Sequence, residues 1–227
     1  MRMQPIEPRN LSARSYVAVR EALIAGSFKP GQRLVMQDLA DELGTSITPV
    51  REACLRLVSE QGLELRSGRF VCVPGLSLSR YLEIRTIRIA LEGLAAEIGA
   101  AHATAADIAR LTEAHARFDA AERARDVAAA LQYNRDFHFT VYRLSGMEML
   151  VGQIESLWVS MGPILNVFYN EVEHDDYAGA DEHLALIAAL RAHDGPAARA
   201  AIERDIVRGG ESLVPYLEKL GQSLTPA

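Results

Sequence analysis

The chain has 227 residues, 49% of them apolar and 24% charged, a mix that excludes a disordered polypeptide and allows two folded domains. Its formal net charge of −6 excludes a uniformly basic nucleic-acid binder. The charge is uneven, however: residues 1–75 carry ten Lys and Arg against eight Asp and Glu, and residues 76–227 carry fourteen against twenty-two.

The first ten residues lack the apolar stretch of a signal peptide, and no run of about 18 apolar residues could span a bilayer, so a cytoplasmic protein without membrane spans is expected. Cys54 and Cys72 are too few for a disulfide framework or a thiolate zinc site, and read as reduced structural residues.

Apolar spacing at Tyr16, Val17, Val19, Leu23 and Ile24 predicts a first helix, opened by Ser12 or Ser15 and closed near Gly26. Lys29-Pro30-Gly31 is a turn signal. A second helix fits Met36 to Leu43 and ends at Gly44. Thr45, Ser46 and Thr48 offer caps for a third helix to about Ser59, with Pro49 tolerated in its first turn. Two helices across a tight Gly-containing turn form a helix-turn-helix. Leu63–Leu65 and Phe70–Val73 then read as short strands around Arg66-Ser67-Gly68-Arg69, a β-hairpin wing. Pro74-Gly75 punctuates the chain and places a linker at about 74–78.

Beyond it the pattern is helical throughout, at roughly 79–101, 105–124, 127–144, 147–169, 178–193 and 196–220, with Thr104, Asp126 and Asp194 near starts and Gly146 and Gly195 at breaks. The expected fold is mainly α: a winged helix-turn-helix over residues 1–75, then an all-α bundle over 76–227 serving as an effector-binding and dimerisation domain.

In a helix-turn-helix the start of the second helix enters the major groove, which singles out Ser46, Ile47, Thr48 and Arg51. Arg33, Arg56, Arg66 and Arg69 are candidates for backbone phosphate, although an arginine on a helix is often only part of a solvated face. Lys29-Pro30-Gly31-Gln32-Arg33-Leu34, Leu39-Ala40 through Leu43-Gly44, and Thr48-Pro49-Val50-Arg51-Glu52-Ala53 resemble the GntR family of bacterial regulators. Within that resemblance Arg33 and Arg51 match DNA-contacting arginines. Ser46-Ile47 departs from the family's usual Ser-Arg, so Ile47 offers contact to a thymine methyl where an arginine would fork onto guanine.

In the body, Asn134 and His138 lie four apart and stack on one helix face, a spacing that suits shared coordination. His183 and Asp205 fall on the last two helices, and a bundle can bring such residues around one cavity. Asn134-Arg135-Asp136-Phe137-His138, Glu182-His183-Leu184 through Leu190, and Asp194-Gly195-Pro196-Ala197-Ala198 resemble the FCD effector domain of FadR-type GntR regulators. The resemblance implies a divalent metal held by Asn134, His138, His183 and Asp205. Asp205 stands where the family commonly has a third histidine, a set that still suits Zn, Mn or Ni.

Arg88 matches an effector-contacting arginine and would suit a carboxylate effector, an organic acid; the alternative is a helix ion pair with Glu92. Tyr133, Tyr142, Trp158 and Asn166 are further candidates for the pocket wall, or simply packing residues. The function implied is a transcriptional regulator, a homodimer on double-stranded operator DNA that acts as a repressor. A bundle metalloenzyme is the competing class. A di-iron bundle needs two Glu-x-x-His motifs and the chain has one, Glu171 to His174; a His-Glu-x-x-His motif is absent. A regulator without any effector is the third reading, which the Asp205 departure permits.

Overall fold

A computed structural model describes residues 11–67, 70–172 and 179–223. The N-terminal part runs α1 (Leu11–Ile24), β1 (Arg33–Leu34), α2 (Met36–Glu42), α3 (Ile47–Ser59), β2 (Glu64–Arg66) and β3 (Phe70–Cys72). Seven helices follow among the described residues: α4 (Leu78–Ala100), α5 (Ala105–Ala124), α6 (Val127–Arg143), α7 (Glu148–Glu171), α8 (Gly179–Arg191), α9 (Gly195–Arg208) and α10 (Leu213–Ser223). The architecture is a winged helix-turn-helix joined to an all-α bundle, as the hydrophobic periods required. No helix among the described residues is long and apolar enough to cross a membrane.

The head is held by a helix stripe packed on a small sheet. Helix α3 buries Val50, Ala53, Cys54 and Leu57, which recur at helical spacing, against Val19, Leu23 and Ile24 of α1. Each fully buried aliphatic side chain of this kind contributes about 1.5–3 kcal/mol. Strands β2 and β3 pair antiparallel with Leu65 opposite Val71, and β1 joins the other edge of β3 to give the order β1-β3-β2.

Three local expectations are corrected, and one unforeseen strand is added. Ser12 and Ser15 lie inside α1 and are not its caps: the Ser12 hydroxyl donates to Glu52, and Ser15 is buried. Arg33–Leu34 is a strand, too short to betray itself by alternation. The strand expected at Leu63–Leu65 is displaced to Glu64–Arg66, because Leu63 turns into the head core. The helix expected over 196–220 is two helices, interrupted after Arg208 by Gly209-Gly210. Gly68, Arg69 and His174 lie outside the described residues.

Cap chemistry explains the starts of α5, α6 and α9. Thr104 and Asp107 form a capping box at α5, while Asp126 and Asp194 accept from the backbone N–H of Ala129 and Ala197 at the starts of α6 and α9.

Helix α7 belongs to both halves. Val159 completes the head core, and Trp158, one residue before it, completes the main body core. Gly26 ends α1 at φ +68°, and its neighbour in space is Gly162 of α7. A Cβ at Gly162 would fall 1.9 Å from the Leu23 carbonyl oxygen, so only glycine lets the two helices approach this closely. Around that contact Asn166 Nδ2 donates to the Gly26 carbonyl at 2.7 Å, and Arg135 of α6 pairs with Glu21 of α1 at 2.6 Å.

Candidate functional site

Two surfaces carry the chemistry. In the head, Ser46, Thr48 and Arg51 are exposed at the start of α3, and Ile47 is half-buried beside them. Arg51 makes no ion pair with any described residue, which leaves its fork for an external anion. The other arginines are engaged within the protein. Arg33 stacks 4.3 Å over Phe70, Arg56 bonds Glu60 at 3.0 Å while covering Tyr16, and Arg66 bonds Glu64 at 2.8 Å. All three are exposed, so phosphate would have to compete with these partners.

In the body, His138 of α6, His183 of α8 and Asp205 of α9 meet in the interior. His138 Nε2 lies 3.4 Å from His183 Nε2 and 3.3 Å from Asp205 Oδ2, and His183 Nε2 lies 3.8 Å from Asp205 Oδ1. One ligand atom from each falls within 4.8 Å of the others, and all three residues are buried. Asn134 is 8% exposed, and its Oδ1 is buried without a hydrogen-bond partner. A ring of Phe137 stacks on His183 at 4.0 Å between centroids and fixes its plane.

A buried hydrogen-bond chain sets the tautomer of His138. Glu92 is wholly buried and accepts from Arg88 Nε (2.8 Å) and Nη2 (3.1 Å), from Trp158 Nε1 (2.9 Å) and from the Tyr142 hydroxyl (2.6 Å). Because the single Tyr142 proton goes to Glu92, the Tyr142 oxygen must accept from His138 Nδ1, 3.1 Å away. Nε2 of His138 is then a bare lone pair, aimed at His183 and Asp205.

Burial and the nearby Arg88 guanidinium push His138 down to about 3, and burial together with His138 and His115 pushes His183 well below the ordinary range. Both rings are therefore neutral near pH 7. Burial opposes the charge on Arg88, but the Glu92 carboxylate outweighs it and holds the guanidinium firmly charged. Two neutral imidazoles and a carboxylate lie within reach of one ion, and the unsatisfied amide oxygen belongs to Asn134, one turn before His138 on the same helix face. The donor set fits a divalent metal.

A cavity of about 570 Å³, measured to its open mouth, adjoins this cluster and is lined at that end by Arg88, Asn134, His138 and Asp205. That figure includes open solvent, and the enclosed space is about 40 Å³. Of the other expected wall residues, Trp158 lines the cavity, and Tyr142 stands behind it in the Glu92 chain. Asn166 is corrected: it is absent from the cavity lining, and its Nδ2 bonds Gly26 at the joint with α1. Tyr133 is corrected likewise, since it packs beside Phe118, Ala121 and Ala130. Glu92 entered the sequence reading only as an ion-pair partner. Arg88 makes that pair and also lines the cavity.

A winged helix-turn-helix head on a helical body with an internal polar pocket has the architecture of a transcriptional regulator. Residues 11–73 match the model of the bacterial regulatory proteins of the gntR family, and residues 83–208 match the FCD domain. The chain belongs to the GntR family and carries an FCD domain.

It is 37% identical to the HTH-type transcriptional regulator McbR of Escherichia coli (strain K12) over 180 residues, which covers 78% of this chain and 80% of the relative. It is 30% identical to the probable D-xylose utilization operon transcriptional repressor of Paenarthrobacter nicotinovorans over 171 residues, 74% of each chain. The solved structure of E. coli McbR/YncC superposes with a TM-score of 0.82 at 32% identity, covering 93% of this chain and 98% of that one. A GntR regulator from Rhodococcus sp. RHA1 shares the fold, with a TM-score of 0.71 at 20% identity over 92% and 97% of the two chains.

Proposed function

We propose that the protein is a FadR-type one-component repressor, a homodimer acting in the cytoplasm, whose operator affinity is set by a small carboxylate-bearing metabolite bound beside a divalent metal. One observation carries the reading: lone-pair atoms from α6, α8 and α9 converge next to an arginine that still has donors to offer. Asn134, His138, His183 and Asp205 would hold the ion, with Zn, Mn or Ni all suited to imidazole and carboxylate. A divalent cation bound there supplies positive charge and open coordination positions for a carboxylate oxygen.

Glu92 occupies two of the five N–H donors of Arg88, and the others are free to clamp the same carboxylate. Ligand control requires unequal binding to two conformations, of order 5- to 150-fold in DNA affinity. A dimer is expected because helix-turn-helix proteins match paired half-sites. Repression is favoured by the name of the Paenarthrobacter relative, a repressor.

Elemental analysis of purified protein, run beside Asn134→Ala, His138→Ala, His183→Ala and Asp205→Ala, tests the site. Near-stoichiometric metal that falls in all four variants is expected. No metal after incubation with Zn, Mn and Ni would overturn it and leave Arg88 to recognise the ligand alone.

A further inference from the structure

The cavity has a second end, built of different residues. Away from Arg88 its wall is made by Met161, Ile164 and Phe168 of α7 and by Leu213 of α10. Leu213 and Leu217 bury the inner face of α10 on these side chains, and Tyr216 donates to Glu171 at the end of α7 across 2.8 Å. Helix α10 thus contributes Leu213 to the cavity wall and packs on the α7 side chains beside it. It lies beyond residue 208, where the match to the FCD domain stops. The turn before it packs closely on Tyr81, since a Cβ on Gly210 would fall 1.6 Å from the Tyr81 hydroxyl.

From this division of the cavity we infer that the effector is a monocarboxylate with an apolar body, and that α10, through Leu213, selects that body. The inference rests on the carboxylate reading above. Among the described residues lining the cavity, Arg88 is the single cation. Of the two tyrosine hydroxyls on the cavity wall, Tyr169 pairs with Glu122, while Tyr81 accepts from Arg85 and keeps one neutral O–H to donate. A second carboxylate on the ligand would therefore meet Ile164, Phe168 and Leu213 with at most one neutral donor and no cation on that wall, which is unfavourable. Methylene or ring carbons there would instead be removed from water against carbon.

Trp158 is the chain's one tryptophan and lies on the cavity wall, so its fluorescence reports occupancy directly. The full-length protein with zinc chloride is titrated with acetate, butanoate, hexanoate and octanoate, and with succinate, adipate and suberate. Affinity for the monocarboxylates is expected to rise about fourfold per methylene until the cavity is full. Dicarboxylates of equal length are expected to bind at least about tenfold more weakly.

Leu213→Ala should flatten the chain-length dependence and leave acetate unchanged. Leu213→Arg, if circular dichroism shows it folded, should turn the preference toward suberate; otherwise Leu213→Ala decides. Equal affinity for the two series, or a chain-length dependence indifferent to Leu213→Ala, would overturn the apolar selection and leave the carboxylate reading standing. Binding of no acid of either series would overturn both.

Discussion

Tyr142 accepts a hydrogen bond from His138 across 3.1 Å because its own proton is committed to Glu92. The same Glu92 carboxylate holds Arg88. One buried chain, Arg88–Glu92–Tyr142–His138, therefore joins the arginine proposed to clamp the ligand to the imidazole proposed to hold the metal. Removing the phenolic oxygen takes away the acceptor that keeps the His138 proton on Nδ1. Tyr142→Phe should fold, since the ring stays, and should weaken metal binding by roughly 10- to 100-fold, the usual loss of an outer-sphere partner. Competition against a chelator measures it. Unchanged affinity would mean that Tyr142 does not orient His138.

The acid limb of stability has a definite sign. His138 is pushed down to about 3, and His183 well below the ordinary range, whereas histidines in the unfolded chain titrate near ~6.5. When the folded value is the lower one, the unfolded state binds protons first as pH falls. The stability contributed by the neutral rings is then complete above about pH 6.5 and is lost progressively from there toward pH 3, at up to about 1.4 kcal/mol per pH unit for each ring. Urea unfolding of metal-free protein from pH 8 to pH 4 should show this fall begin near pH 6.5. A midpoint that stays level to pH 5 would show that the folded protein protonates both rings.

Much of this was readable in advance, and the exceptions have physical causes. Thr104, Asp126 and Asp194 announced their helices because a cap is a local device, satisfied within three residues. Asn134 and His138 share a face by spacing alone. Tyr133 sits one residue from Asn134, about 100° around the helix, and that rotation carries it toward α5. Asn166 lies on the side of α7 that meets α1, and nothing local distinguishes that side from the cavity side, because both are buried by long-range contacts. Glu92 was legible only as an i+4 partner of Arg88. Its total burial needs Tyr142 and Trp158 from two other helices, which no local pattern contains. The break at Gly209-Gly210 was written in two glycines, yet the apolar spacing runs on through it.

On the DNA side, exposed Arg51 and half-buried Ile47 should behave differently. Arg51→Ala is expected to weaken binding to all sequences and to reduce the salt dependence by about one unit of slope. Ile47→Arg adds a fork that can reach guanine, and should shift base preference at one position of each half-site by about 1–3 kcal/mol. Titrations of an operator library at several salt concentrations separate the two. A uniform gain for Ile47→Arg across all sequences would place residue 47 over phosphate and not over a base edge.

The joint between α1 and α7 is where a ligand's effect should reach the DNA. Trp158, Met161, Ile164 and Phe168 line the cavity, while Val159, Gly162 and Asn166 of the same helix meet the head. A shift of α7 on ligand binding must then move the end of α1, and α1 packs on α3 through the head core. Gly162→Ala drives a Cβ into the Leu23 carbonyl and should cost at least about 1–3 kcal/mol in overpacking. Asn166→Ala is the gentler probe, since it deletes one hydrogen bond worth about 0.5–1.5 kcal/mol and touches neither the cavity nor the DNA-facing residues. In Asn166→Ala, DNA affinity without ligand and metal content should stay near wild type, while the change in DNA affinity on adding octanoate shrinks. Fluorescence anisotropy with labelled operator reads both quantities. If the full ligand response survives, the signal runs past this joint, and the Arg135–Glu21 pair on α6 becomes the contact that carries it.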